Sequence, residues 1–351
     1  MDSTNAQSEY VPRLQGTIVG LGRMGLTHLA ILNHHPAVSA LSVVEPSPCF
    51  ARAIEKSLGV VCYRDVDQLF EAGIPDFLVI ATPTGSHYNI AKAALEHCVH
   101  AFIEKPLTTS SSESASLMHM AKAQEVVVQV GYVNRFNEIF QAVRQLIRAG
   151  EMGKPTHISC EIRSPMVSKT TGASWRSKQR DGGGCLSDIA SHAIDLMNFM
   201  VGPPTRVLAA SLQSLVSSDV EDRVDVLFAY PGFTGVLHVN WSDPSCRKPA
   251  YRVNVDMEGG QITADQHAYK IFSYAPTEHA VVGSWKTVYI TDIAQPVRVY
   301  VRGNEFTRQL DYFLDSVISK RQESISDIAS AMEVDQIIGK IREAGQKVRI
   351  Q

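Results

Sequence analysis

No run of about 18 consecutive apolar residues occurs in the chain, so no membrane-spanning helix is expected. The opening stretch MDSTNAQSEYVPRLQ has neither a basic start nor an apolar core of signal-peptide length. The expectation is a cytoplasmic protein with a loose tail over residues 1–13. An excess of one charge is also missing: 33 Lys and Arg against 36 Asp and Glu leave a net charge of -3, with the basic residues scattered. That removes the cationic footprint a nucleic acid or an anionic membrane would need, and leaves a small molecule as the expected partner. Cys49, Cys62, Cys98, Cys160, Cys185 and Cys246 lie far apart without a close CxxC pair, so neither a zinc site nor a redox centre is expected. They read as reduced, mostly buried thiols, and no metal is expected. Internal repeats and low-complexity linkers are absent too.

The 351 residues fit two packed domains, since domains of roughly 100–200 residues are usual. Hydrophobic residues at 44% and charged ones at 20% are enough for a buried core and a soluble surface. From Gly16 to Gly131, short β-rich runs alternate with helical patterns. GTIVG, VSALSVVE, VVCY, DFLVIA, VHAFIE and VVVQVG read as strands, several apolar on both faces, as a helix-covered parallel sheet requires. RMGLTHLAILNHH, SHYNIAKAALEHC and SESASLMHMAKAQ read as the crossover helices. Residues 14–132 are therefore predicted as a doubly wound α/β domain of Rossmann type. Near Asn134 the pattern changes. A helix over NEIFQAVRQLIRAG ends at Gly150, and HISCEIR, RVLAASLQSLV, VDVLFAY, TGVLHVNW, YRVNVDM and QITAD follow with short links, predicting an antiparallel sheet. Two helices close residues 133–351, giving a second domain of α+β type.

GLGRMG follows the strand GTIVG and opens a predicted helix, a context that lifts the pattern above a lone GxGxxG. Gly20 permits the tight turn, Gly22 lets the backbone approach a pyrophosphate, and Gly25 allows close helix–strand packing. Arg23 and Met24 stand at the start of that helix, whose free N–H groups suit phosphate. Glu45, twenty residues after Gly25, is placed to accept from ribose hydroxyls and to repel a 2′-phosphate, which favours NAD over NADP. The same loop would suit FAD or an S-adenosyl cofactor. Ala81, Thr82 and Pro83 after DFLVIA are expected along the cofactor, with His87 near its inner half. FIEKP places Glu104 and Lys105 where a nicotinamide would lie, and a lysine there can stabilise an alkoxide.

In DGGGCLSDIASHAIDLMNFM, Asp188 and His192 are four residues apart, on one predicted helix face, with Ser187 or Asp188 as the cap. Histidine has a pKa suited to removing a hydroxyl proton near neutral pH, which makes His192 the candidate base. Asp188 would orient a ligand hydroxyl or sustain charge on His192 and Lys105.

Taken together, GLGRMG, Glu45, ATPTGSH, EKP and GGGCLSDIASH resemble, in order and spacing, the glucose-fructose oxidoreductase and inositol dehydrogenase family, Gfo/Idh/MocA, from about Leu14 to the last helix. The resemblance implies a Rossmann domain followed by an open-faced, mostly antiparallel sheet that often mediates homo-oligomers, here a dimer or tetramer. It implies catalytic roles for Lys105, Asp188 and His192, and often a cis bond at Lys105–Pro106. It also implies that Asn134 and Arg135 of GYVNRFNE face the substrate or the cofactor, and that Trp175 and Arg176 of ASWRSK are candidates for the substrate pocket. The implied activity is NAD-dependent oxidation of a sugar ring hydroxyl, often at C3. The chain looks most like members acting on nucleotide- or phosphate-linked sugars, with Arg176, Lys178, Arg180, Arg247 and Lys248 as candidate phosphate partners. A free sugar or inositol dehydrogenase, an NAD-dependent glycosidase and a non-catalytic dinucleotide-sensing regulator are the alternatives.

Overall fold

A computed structural model describes residues 13–167, 176, 178–179, 182–321 and 324–347; the predicted tail, Trp175 and Arg180 lie outside them apart from Arg13. Six strands form the first sheet: β1 (Leu14–Val19), β2 (Val38–Val44), β3 (Val61–Tyr63), β4 (Phe77–Ile80), β5 (His100–Ile103) and β6 (Val128–Val130). Their order is β3-β2-β1-β4-β5-β6, and every neighbouring pair is parallel. Val19 pairs with Val44 on one side and Ile80 on the other, so the carboxyl ends of β1, β2 and β4 finish level. The strand order reverses between β1 and β4, and a ligand crevice opens at such a switch point.

Helices α1 (Arg23–Leu32), α4 (His87–Glu96) and α5 (Ser111–Ala123) lie where the sequence pattern placed them. Two further helices, α2 (Pro48–Leu58) and α3 (Val66–Ala72), had no clear pattern: α2 buries no residue fully and α3 has two turns.

The second sheet has eight strands: β7 (Pro155–Arg163), β8 (Arg206–Gln213), β9 (Arg223–Tyr230), β10 (Phe233–Asn240), β11 (Ala250–Met257), β12 (Gly260–Ala264), β13 (Ala268–Ser273) and β14 (Trp285–Tyr289). Their order is β14-β13-β12-β11-β7-β10-β9-β8, with one departure from the antiparallel expectation: β7 runs parallel to β10. After β7 the chain leaves the sheet to build the glycine turn and α7 (Ser191–Val201), so its neighbours can insert on both sides of β7. Burial alternates along β7, β9 and β11, with one face on the core and the other open. The core face packs on α7, on α6 (Glu138–Ala149), which ends at a left-handed Gly150, and on α10 (Ile328–Lys347). A single turn, α8 (Ile290–Ile293), follows β14.

One late helix returns to the first sheet. In α9 (Asn304–Ile318), Leu310, Phe313, Leu314 and Val317 are buried with Ile18, Val79, Phe77 and Phe102. Phe313 meets Phe77 and Phe102 edge-on at 5.7 and 5.9 Å, and Gln129 Nε2 donates to the Gln309 carbonyl at 2.7 Å. The last third of the chain therefore covers one face of the first sheet and brings the loop ahead of α9 to the crevice. Of the six thiols, Cys160 and Cys185 are buried, while Cys49 and Cys98 are exposed. The expectation of mostly buried cysteines is corrected on that count, because Cys49 sits on the surface helix α2 and Cys98 in the turn after α4. All six are free, and no described helix is long and apolar enough to cross a membrane.

Candidate active site

The three glycines do three different jobs. Gly20 has φ +89°, a left-handed conformation that glycine tolerates without strain, and a Cβ there would lie 2.9 Å from Thr82 Cγ2. At Gly25 a Cβ would fall 1.8 Å from the Gly20 carbonyl oxygen, so the first turn of α1 rests directly on the strand end. Around Gly22, by contrast, a Cβ would meet nothing within 4 Å. That is open space, and it faces an α1 start with neither a side-chain cap nor an acid in its first turn. Uncapped N–H groups and the positive dipole end there suit an anion, which fits the pyrophosphate of a dinucleotide. Arg23 and Met24 line the same cleft.

At the end of β2, the Glu45 carboxylate accepts from the Leu21 N–H at 3.3 Å and the Ser47 N–H at 3.0 Å, which fixes it beside the glycine loop. Its remaining lone pairs are available to ribose hydroxyls. Ala81 and Thr82 follow β4, half-buried, with Pro83 exposed beside them. His87 has a different job from the one expected. Nε2 bonds the Thr82 carbonyl at 2.9 Å and Nδ1 the Pro106 carbonyl at 3.0 Å, so its ring ties the β4 loop to the β5 loop. Burial first of all lowers its pKa, outweighing those carbonyls.

The β5 loop carries Glu104 and Lys105, and the Lys105–Pro106 peptide is cis. Glu104 is buried and bonds His28 Nε2 of α1 at 2.8 Å. Lys105 Nζ donates to Asp188 Oδ1 and to the Asp188 carbonyl, both at 2.7 Å. The other carboxylate oxygen, Asp188 Oδ2, takes Arg176 Nε at 2.8 Å. Burial alone would raise the Asp188 pKa, but the charges and hydrogen bonds of Lys105 and Arg176 overturn that and hold the carboxyl well below its usual range. Asp188 is therefore ionised and pins the lysine. It is not a helix cap: residues Leu186–Ala190 form a π-helical stretch without a side-chain cap, and Ser187 instead accepts from Arg342 Nη2 at 2.6 Å. One turn on, His192 lies edge-on to Tyr132 at 6.1 Å, and its ring nitrogens bond no described residue. Burial most of all, then the charge of Lys105, pull its pKa down to about 3 against the opposing pull of Asp188. The imidazole is neutral, with a nitrogen free to accept a proton.

Lys105, Asp188 and His192 face one cleft of about 550 Å³ between the domains. Asn134 lines it, its Oδ1 accepting from Gln266 Nε2 at 3.4 Å, with Tyr251 in the same wall. Arg135, expected beside it, points the other way. Its guanidinium grips Asp195 of α7 through Nε at 2.9 Å and Nη2 at 2.6 Å, both side chains buried. Asp195→Ala would leave that cation buried without its counter-charge, holding only the Ile325 carbonyl and the Ser330 hydroxyl, and is expected to destabilise the fold by about 3–5 kcal/mol, read from urea unfolding midpoints. Arg176 lies at the cleft on Asp188, and of the other candidate cations Lys248 lines it while Lys178 and Arg247 do not. The sequence reading missed Tyr251, Gln266, Arg302 and Glu305 in the wall. They come from a strand, two loops and the first turn of α9, and only β-alternation around Tyr251 hinted at which face it occupies.

The chain matches two family descriptions: residues 14–132 match the GFO/IDH/MocA "Oxidoreductase family, NAD-binding Rossmann fold", and residues 140–263 match the GFO/IDH/MocA C-terminal domain. It is 29% identical over 188 residues to scyllo-inositol 2-dehydrogenase (NAD(+)) of Bacillus subtilis, covering 53% of each chain, so it spans about half the length of that enzyme. Its fold is similar to levoglucosan dehydrogenase in complex with NADH and levoglucosan, with a TM-score of 0.82 at 20% identity over 95% of this chain and 98% of that one. The fold is also similar to the UDP-N-acetylglucosamine 3-dehydrogenase GnnA of Acidithiobacillus ferrooxidans, with a TM-score of 0.75 at 19% identity over 95% of this chain and 98% of that one.

Proposed function

Because the chain belongs to the GFO/IDH/MocA oxidoreductase family, we propose that it is an NAD-dependent dehydrogenase that oxidises a ring hydroxyl of a sugar. The observation behind this reading is the lysine pinned by Asp188 beside a neutral, unbonded histidine, at the strand ends where the cofactor loop also lies. NAD, when bound, supplies the hydride acceptor. The glycine loop and Glu45 hold its pyrophosphate and ribose, and Thr82, Pro83 and Glu104 shape the wall beside it. The His192 imidazole takes the proton of the substrate hydroxyl, while Lys105 donates to the same oxygen as its negative charge grows. Asp188 keeps the ammonium in place and balances the charge the imidazole acquires. Asn134 and Arg176 orient the remainder of the sugar.

We further assign a nucleotide- or phosphate-linked sugar over a free sugar or inositol, because Lys248 adds a cation at the cleft beyond those that Asp188 occupies. The open face of the second sheet, where Leu227 and Val236 pair side by side and exposed, is the surface assigned to self-association into a dimer or tetramer. The test is a panel of free, phosphorylated and nucleotide-linked sugars and inositols with NAD, following reduced-cofactor absorbance and the mass of a product two hydrogens lighter. His192→Ala should cut turnover on the order of 10²–10⁴ with NADH binding retained. Cofactor binding without turnover anywhere on the panel would return the protein to the regulator reading.

A further inference from the structure

Arg302 lies in the loop between α8 and α9, more than 270 residues along the chain from Arg23, yet both line the same cleft at the glycine loop. Neither guanidinium makes a hydrogen bond or ion pair to any described residue. Arg302 stacks only on Phe306, 5.4 Å from the ring centroid, at the start of α9. Partial desolvation and then the charge of Arg23 lower the Arg302 pKa, so the two cations feel each other across the cleft. The acid whose charge Arg302 feels is Glu104, whose oxygens already serve His28 and the Lys105 N–H. Two guanidinium groups that line one cleft without a hydrogen-bonding or ionic partner among the described residues call for a doubly charged anion there.

We propose that Arg302 is the second arm of a clamp on the cofactor's pyrophosphate, opposite Arg23. The loop bearing it is held by α9, which is buried against the first sheet and tied to α1 through His35 Nε2 and Asp311 Oδ1 at 3.0 Å. The arm therefore comes from a segment anchored on the cofactor domain itself, and closing it requires no movement of the second sheet. Two positive charges match the two negative charges of a pyrophosphate, and guanidinium groups pair with phosphate oxygens in a fork. This rests on the NAD assignment and is independent of which sugar is the substrate.

The test measures NADH and ADP-ribose binding by calorimetry with no sugar present. Arg302→Gln should weaken both ligands by the same factor, about tenfold, because both carry the pyrophosphate. Its ligand-free unfolding midpoint should stay close to the parent, since the side chain has no hydrogen bond or ion pair to lose, only its stacking on Phe306. Arg302→Lys should fall between the two, and combining Arg302→Gln with Arg23→Gln should cost less than the product of the single losses, as expected for two groups on one anion. The dependence of NADH affinity on salt should also flatten in Arg302→Gln. Parental NADH and ADP-ribose affinities in Arg302→Gln would overturn the clamp, even if the KM for a sugar rose. A fall in the unfolding midpoint large enough to account for the binding loss would overturn it as well.

Discussion

Lys105→Met is expected to lower kcat on the order of 10²–10³, with the Kd for NADH within a few-fold of the parent. Methionine fills the volume of the lysine stem without its charge, so the substrate oxygen loses its ammonium donor while the cleft keeps its shape. A second readout separates this from a packing defect. Burial, then the charge of Lys105, hold His192 at about 3, against the opposing effect of Asp188. A base works only while neutral, so the oxidation rate falls as pH drops through the histidine pKa. In the parent that limb lies far into acid. Without Lys105, burial still lowers the pKa, but Asp188 now acts unopposed by the lysine, and the acid limb of kcat/KM moves up toward the ordinary value of 6.5. A variant with parental kcat, or with reduced kcat and an acid limb that has not moved, would remove Lys105 from the proposed chemistry.

Gly25→Ala should lose both cofactor and fold stability, whereas Gly22→Ala, three residues earlier, should lose only the cofactor. The difference follows from what each methyl group meets. At Gly25 it would overlap the Gly20 carbonyl, a main-chain atom that cannot rotate away, so α1 must lift off the strand end and take its N–H groups with it. At Gly22 the backbone has φ -63°, which alanine adopts freely, and the methyl group meets no protein atom. It would instead occupy the space through which the pyrophosphate reaches the main chain. NADH affinity should fall by more than about 100-fold, roughly 3 kcal/mol, in Gly25→Ala, with a lower unfolding midpoint. Gly22→Ala should show a clear loss of affinity at a parental midpoint. Equal effects of the two substitutions on the midpoint would contradict this division of roles.

The contrast between these glycines also indicates what can be read from a chain and what cannot. A short linear pattern encodes local geometry, so GLGRMG predicted a turn and a helix start, and both are present, with open space at Gly22 beside the uncapped helix end. Asp188 and His192 were legible for the same reason. The link from Asp188 to Lys105 was among the expectations, whereas Arg176, read as a substrate or phosphate partner, bonds Asp188 instead, an orientation that no local pattern encodes. Arg135 illustrates the limit: its neighbour Asn134 does reach the cleft, and one step of backbone turned the arginine toward Asp195. His87 likewise stood in a motif, and only coordinates reveal that its two nitrogens hold two loops rather than a ligand. For β13 and β14 the sequence signal was weak, since β14 is a partly exposed edge strand without alternation.

The return of α9 to the first sheet has a consequence in time. Strands β1 to β6 leave the ribosome early, but the aromatic ring that covers Phe77 and Phe102 arrives with Phe313, more than 200 residues later. Until then one apolar flank of the nascent sheet stays exposed to solvent and to other chains. Contacts separated this widely in sequence form slowly, because the loop between them must be closed first. The cofactor domain, though first in the chain, is completed close to last, and chaperone capture or misassembly during synthesis would fall in that interval.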